Sequence, residues 1–175
     1  MSSSSIEQGS LKNFNYFEKL AANRRRQRRQ HAYYWNSITH YIDYFSHKDI
    51  SVLEIGCGTG ELVNDIRAAK KTGIDFSPAM ITEAKKQYPH LDFRVMSAED
   101  IHIEEKYDLI ILSNLIGYVD DVQNVFEQLH KVCHSRTKII VNYYNYIWEP
   151  FLKFAEVLGI KAKTPIQNWL TRQDI

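Results

Sequence analysis

Apolar and polar positions follow two different periods along this chain, and the changes between them predict its elements. Short, nearly continuous apolar runs are typical of buried parallel strands. The predicted strands cover residues 51–55, 72–75, 91–95, 107–112 and 138–143. Helical segments separate them, so the alternation predicts βαβ units on a mostly parallel sheet with right-handed crossovers.

The predicted helices are marked by caps and by periodic apolar positions. One runs from Gly60 to about Ala69. The next begins at residues 77–78, because Ser caps helix N termini and Pro fits the first helical position, and it reaches about Gln87. Residues 14–45 contain neither Gly nor Pro and predict one or two helices. Another helix is indicated by apolar residues that recur at helical spacing, namely Val122, Val125, Phe126, Leu129, Val132 and Cys133.

Three segments follow from this pattern. We expect the serine-rich residues 1–13 to form a disordered tail and residues 14–48 an N-terminal helical segment. Residues 49–175 then form the single α/β domain that a chain of 175 residues suggests. Residues 171–174 have the form of a helix-capping box, and the chain stops one residue later. We therefore expect a domain that is truncated at its C-terminal end.

Composition and charge disfavour several classes of function. The net charge of +1 argues against a strongly electrostatic partner such as nucleic acid. Cys57 and Cys133 are the two cysteines, which is too few for a disulfide framework, so we expect a cytoplasmic protein. No apolar run has the length of a membrane span, and no signal-peptide core follows the N-terminal serines.

The most informative run is 52–60, where an apolar strand ends in an acid and glycines follow at alternate positions. A turn without side chains lets the backbone approach a nucleoside ligand, and the next helix presents its N-terminal amides beside it. A dinucleotide fingerprint requires its third glycine at position 61, where this chain has Glu61. A dehydrogenase is therefore disfavoured.

This acid-x-Gly-x-Gly-x-Gly run resembles the first motif of the class I S-adenosylmethionine (SAM)-dependent methyltransferases, and the resemblance extends over roughly residues 50–145. It implies a Rossmann-like, doubly wound sheet, SAM as cofactor and S-adenosylhomocysteine (SAH) as product. Glu54 would contact the amino group of the SAM methionine, the alternative being that it caps nearby backbone amides. The turn residues that would lie against the cofactor are Gly56, Cys57, Gly58 and Gly60. The terminal strand pair of that family has no counterpart after the fifth predicted strand.

Asp75 ends the second predicted strand, close to the offset of about 20 residues that is typical of a ribose-binding acid. A carboxylate accepts hydrogen bonds from two adjacent hydroxyls, as a ribose diol requires. The resemblance to the family's second motif continues through residues 73–80. It implies that Phe76 and Met80 flank the adenine, whereas core packing is the alternative for both.

Two further segments follow predicted strands. Residues 96–100 stand where the family commonly has an Asp-Ala-Glu segment that holds adenine, so Ala98 and Glu99 are implied cofactor contacts, with Ser97 in the place of Asp. Ser113 and Asn114 follow the fourth strand, at the sheet edge where such folds bind ligands. Relatives that methylate nucleic-acid amines carry a Pro-Pro-aromatic sequence there, which this chain lacks.

The Arg24–Arg29 cluster and a His/Cys group admit other interpretations. The arginines could bind phosphates while Tyr33, Tyr34 and Trp35 stack on bases, but a solvated helix face is the commoner arrangement. In the family this segment helps to cover the cofactor, which would involve Tyr16 and Phe17.

Three residues at helical spacing could ligate a metal, but Cys133 completes an apolar stripe, so no metal site is predicted. They are His130, Cys133 and His134.

The sequence therefore predicts a SAM-dependent methyltransferase with a small-molecule, sugar or lipid-linked acceptor. Residues 143–175 resemble bacterial methyltransferases fused to a glycosyltransferase, which would add a downstream domain. The alternative is a non-catalytic SAM- or nucleotide-binding module within a larger multidomain protein. Methyl transfer needs a general base only where the acceptor loses a proton. Catalytic residues are unassigned, and the candidates for such a base are Tyr118, Asp120 and Asp121.

Overall fold

The structure is a computed structural model that describes residues 3–143, and this range holds five helices and five strands. The helices are α1 (Ser3–Gln30), α2 (Ala32–Asp43), α3 (Glu61–Asp65), α4 (Pro78–Gln87) and α5 (Val122–Leu129). The strands are β1 (Ser51–Ile55), β2 (Lys70–Asp75), β3 (Asp92–Val95), β4 (Tyr107–Ser113) and β5 (Cys133–Asn142).

The five strands form one parallel sheet in the order β3-β2-β1-β4-β5. The predicted Rossmann-like α/β fold is confirmed. The chain builds outwards from β1 to β3 and then crosses back to β4, so the strand order reverses between β1 and β4. Open α/β sheets bind ligands at such a switch point, in the crevice beyond the carboxyl ends of the strands.

Each face of the sheet is covered because successive strand residues point to opposite sides. Leu53 and Ile55 pack in the cluster that contains Val125 of α5. Val52 points the other way and packs in the cluster that contains Ile42 of α2. Helices on both faces explain why β1 and β4 read as continuous apolar runs.

The structure differs from the predicted elements at several ends. The helix predicted from Gly60 to about Ala69 is shorter in the structure, because α3 ends at Asp65 and the amides of Ala69 and Lys70 bond to Ile50 O, just before β1. Strand β5 begins at Cys133 rather than Lys138, with a shift in register opposite β4. That early start ends the predicted apolar helix at Leu129, the last residue of α5.

Helix α1 begins at Ser3, inside the segment predicted as a disordered tail. Once a helix is nucleated, each further residue adds one hydrogen bond, so a helix readily extends through residues that contain no proline. The predicted terminal truncation and the capping box at 171–174 concern residues beyond 143, outside the described range. Within that range, no helix combines the length and the apolar character needed to cross a bilayer.

Candidate functional site

The turn after β1 is held in a left-handed conformation at three alternate positions. Gly56, Gly58 and Gly60 have φ angles of +75°, +53° and +82°. A side chain at Gly60 would meet the Phe93 ring at 2.5 Å, whereas at Gly58 the nearest atom would be Arg24 Nε at 3.9 Å. The open side of the turn is therefore at Gly58, where backbone faces a cavity.

Asp75 lies at the end of β2 and is fixed by this turn. Its Oδ2 accepts a hydrogen bond from Gly58 N at 2.8 Å, and its Oδ1 accepts one from Ser77 N at 2.9 Å. Ser77 in turn caps α4, since its Oγ accepts from Met80 N at 3.1 Å. Burial raises the pKa of the Asp75 carboxyl, and the two backbone amides partly offset this shift. The carboxyl group is thus immobilised in the cavity wall.

The cavity has a volume of about 550 Å³ and lies between the carboxyl ends of the strands and α1. This volume is within the range of roughly 300–1,000 Å³ that is usual for small-molecule sites. Nine of the twelve residues predicted to bind the cofactor line it. They are Gly56, Gly58, Asp75, Phe76, Met80, Ala98, Glu99, Ser113 and Asn114.

The other three predicted residues are not part of the cavity lining. Cys57 is buried in the cluster that contains Phe93, and Gly60 is the N-cap of α3. Both residues belong to the packing of the turn and not to the cavity wall. Glu54 is 3% exposed, and its Oε2 accepts from Val63 N at 2.9 Å. In this structure Glu54 therefore caps a backbone amide, which was the alternative to ligand contact.

Burial raises the pKa of Glu54 from 4.5 to about 8. The folded chain thus keeps a proton that the unfolded chain loses above pH 4.5. We expect the free energy of unfolding to fall as the pH rises from about 4.5 to about 8. Glu54→Gln stays neutral and keeps an acceptor for Val63 N, so its pH dependence is expected to be flatter. Urea unfolding of both proteins at several pH values measures the difference. If the free energy of unfolding changes equally with pH in the two proteins, this prediction is wrong.

Helix α1 forms the wall of the cavity opposite the sheet. Tyr16 and Phe17, which the resemblance placed near the cofactor, line the cavity from this helix. The Phe17 ring lies 5.7 Å from the Phe76 ring and 5.1 Å from the Tyr118 ring, edge to face. Glu18 docks the helix, because its Oε1 accepts from Ser77 Oγ at 2.5 Å and from Ala79 N at 3.1 Å.

The arginine cluster is divided between two environments. Arg24 and Arg28 line the cavity and stack on Trp35, with guanidinium carbons 5.7 and 4.8 Å from the ring centre. Arg28 also pairs with Asp65 at 3.2 Å. The exposed arginines are Arg26 and Arg29. The predicted solvated face thus applies to part of the cluster, and Trp35 is covered rather than free to stack on bases.

The end of β4 carries an unusual backbone and an unsatisfied hydroxyl. Asn114 has a φ of +54°, and its Oδ1 accepts from Tyr34 OH at 3.0 Å. Strained backbone of this kind is concentrated at functional sites. Ser113 Oγ is buried and has no hydrogen-bond partner in the part of the chain that the structure describes. A ligand in the cavity would supply one.

One signal in the sequence could have identified the missed residues. The cavity-lining residues of α1 recur three or four positions apart, which is the spacing of a single helix face. This set, together with the lining residues around the start of α2, is Asn13, Tyr16, Phe17, Leu20, Arg24, Arg28, His31, Tyr34 and Trp35. Because the face is partly polar, it does not stand out as a core stripe.

The structure places the three candidate bases in different environments. Tyr118 and Asp120 line the cavity, whereas Asp121 caps α5, where its Oδ1 accepts from Asn124 N at 3.0 Å. No group of three metal-ligating side chains occurs among residues 3–143. His134 instead contacts Asp108 Oδ1 through Nε2 at 3.2 Å.

Comparison with known proteins places this site in a family. A family model described as a methyltransferase domain matches residues 46–170. The malonyl-[acyl-carrier protein] O-methyltransferase 1 of Ilyobacter polytropus is 34% identical, over 54% of this chain and 38% of its own length. The ubiquinone biosynthesis O-methyltransferase of Nitrobacter winogradskyi is 27% identical, over 70% of this chain and 48% of its own length. The chain thus spans less than half the length of these curated relatives.

Solved structures show the same fold. A SAM-dependent methyltransferase from Thermotoga maritima superposes with a TM-score of 0.73 at 18% identity, covering 93% of this chain and 76% of that one. DhpI in complex with SAH superposes with a TM-score of 0.60 at 18% identity, covering 77% of this chain and 69% of that one. The chain therefore belongs to the methyltransferase domain family, and it has the Rossmann-like fold of these solved methyltransferases.

Proposed function

We propose that the cavity binds SAM and that the chain transfers its methyl group to a small-molecule acceptor. The observation that carries this proposal is the immobilised Asp75 carboxyl group in the cavity wall, beside the open backbone of Gly58. A fixed carboxylate suits a ribose diol, because its oxygens can accept further hydrogen bonds from the two hydroxyls. A side chain at position 58 would occupy the approach that the nucleoside needs.

The residues present fit the rest of SAM. Phe76 and Met80 would flank the adenine, and Ala98 and Glu99 would hold its edge, as the resemblance implies. The positive charge of Arg24 beside Gly58 suits the methionine carboxylate, because a guanidinium pairs well with a carboxylate. Ser113 Oγ is available at the end of β4 for a polar group of the ligand. SAM itself would supply an activated methyl group on a sulfonium sulfur.

The contribution of the protein to methyl transfer is positioning and exclusion of water. Helices α1 and α2 cover the crevice, and the hydrogen bond from Tyr34 to Asn114 fixes α2 to the end of β4. His31, Tyr34 and Trp35 line the cavity on this side, where the acceptor would enter. If the acceptor must lose a proton, His31 is the cavity residue on this side that could receive it, whereas the predicted candidate Tyr118 lies against Phe17 near Phe76.

The acceptor class is inferred from the relatives. Two of them are named for O-methyl transfer in ubiquinone biosynthesis and on malonyl-[acyl-carrier protein]. We therefore favour an oxygen atom of a small metabolite, with a sugar or lipid-linked acceptor as the specific proposal. The predicted cytoplasmic location and the downstream sugar-transferase domain remain predictions.

Calorimetry with SAM, SAH and NAD tests the cofactor assignment. We expect micromolar binding of SAM and SAH and none of NAD, since the third glycine of a dinucleotide site is replaced by Glu61. Transfer of a radiolabelled methyl group to phenols, carboxylates, sugars and lipid-linked sugars then tests catalysis. Binding of SAH without transfer to any acceptor would favour the non-catalytic binding module, which the partial coverage of the relatives makes the second candidate. Absence of SAM and SAH binding would refute the proposal.

A further inference from the structure

Asn13 carries a buried acceptor atom that no group in the part of the chain described by the structure satisfies. The residue is 8% exposed and lines the cavity from α1. Its Nδ2 donates to Tyr118 O at 3.1 Å, so the orientation of the side-chain amide is set. The other atom, Oδ1, is buried without a hydrogen-bond partner among the described residues. Buried acceptors are normally paired, so this one points to a ligand with a donor group.

The position of Asn13 along α1 identifies the end of the cavity that it faces. The next residue, Phe14, contacts the Phe76 ring at 6.0 Å. One turn further, Phe17 lies against both Phe76 and Tyr118. These rings surround the place that the proposed function assigns to adenine, just beyond Asp75.

The opposite end of the same helix lies over the glycine turn. Arg24 lies beside Gly58, and the proposed function assigns its guanidinium to the methionine carboxylate of the cofactor. Eleven residues of helix separate Asn13 from Arg24, which is a rise of about 16 Å. Helix α1 thus runs along the whole cavity, and Asn13 is at the nucleobase end rather than the acceptor end.

We propose that Asn13 Oδ1 accepts a hydrogen bond from the 6-amino group of adenine. This inference rests on the proposed function, because it takes SAM as the ligand. The chemistry is complementary: the base edge of adenine offers its amino group as a donor, while Asn13 Oδ1 can only accept. A 6-oxo purine would present an acceptor to the same atom and leave both unpaired. Asn13 is thus a specificity-determining residue supplied by α1, outside the loops that follow the strands.

The test compares SAH with S-inosylhomocysteine, the analogue with a 6-oxo group, by calorimetry on the full chain. We expect the unaltered protein to prefer SAH by about tenfold or more, as for a site whose buried polar group is left unpaired by the analogue. Asn13→Ala should lose this preference, with weaker SAH binding and little change for the analogue. Asn23→Ala, an exposed asparagine of the same helix, is the matched control and should behave like the unaltered protein.

Two results for Asn13→Ala would overturn the inference. Equal weakening of both ligands in Asn13→Ala would show that the residue only docks α1 through Tyr118, and it would overturn the inference. Unchanged SAH affinity would also overturn it. If Asn13→Ala does not fold, Asn13→Asp keeps an acceptor oxygen and should still prefer SAH, and loss of that preference counts against the proposal. Failure of the unaltered protein to bind SAH refutes the proposed function itself, which is a different result from SAH binding without dependence on Asn13.

Discussion

Replacing Asp75 with alanine is expected to weaken SAH binding by more than about 100-fold. Hydrogen bonds to a charged group contribute about 1.5–3 kcal/mol each, and a ribose diol makes two of them. The substitution also leaves Gly58 N and Ser77 N without their acceptor, which loosens the turn that the ligand contacts. Isothermal calorimetry with SAH measures the loss.

The control for this substitution is Asp92→Ala. Asp92 begins the neighbouring strand and is half-exposed in an ion pair with Arg94, so its removal should leave SAH affinity unchanged. Circular dichroism at the temperature of the titration separates lost binding from lost folding. An Asp75→Ala protein that is folded and binds SAH within threefold of the unaltered chain would contradict the assignment of Asp75 to the ribose.

Two glycines of the same turn are expected to respond differently to alanine, one mainly in stability and the other mainly in ligand binding. Gly60→Ala should destabilise the fold by roughly 2–5 kcal/mol, which combines the cost of a left-handed residue with overpacking. The new methyl group would lie 2.5 Å from the Phe93 ring, which is 2% exposed and so packed on all sides. Gly58→Ala has the backbone cost alone, about 1–2 kcal/mol, because its side faces open space.

For SAH affinity the order should be reversed, with the larger loss in Gly58→Ala. The methyl group of Gly58→Ala stands in the cavity, so SAH affinity is expected to fall at least about tenfold in a protein that still unfolds cooperatively. Urea unfolding and SAH calorimetry on the pair give both readouts. If Gly58→Ala binds SAH normally while Gly60→Ala is as stable as the unaltered chain, the orientation of the turn described above is wrong.

The sheet and the glycine turn were predictable because each strand carries its own local signal. A strand buried on both faces needs a continuous apolar run, and Ser77-Pro78 has the residue types of a helix start whatever surrounds it. Asp75 was identified from its place at the end of β2, close to the offset of about 20 residues that is typical of a ribose-binding acid. The five strands and most of the site therefore follow from short stretches of sequence.

What the sequence did not reveal depends on contacts between distant segments. Arg24 and Arg28 look like part of a solvated run, and only the packing of α1 on α4 directs them into the cavity. Glu54 follows the motif of a ligand-binding acid, yet the short helix α3 places Val63 N next to it. The left-handed Asn114 cannot be read from residue type, because its conformation is fixed by hydrogen bonds from Tyr34 and to Asn142.

The wall formed by α1 and α2 precedes the region that defines the family. Nine of the described cavity residues lie before residue 46, where the match to the methyltransferase domain begins. A comparison confined to the matched region therefore overlooks the residues of α1 and α2 that complete the cavity wall.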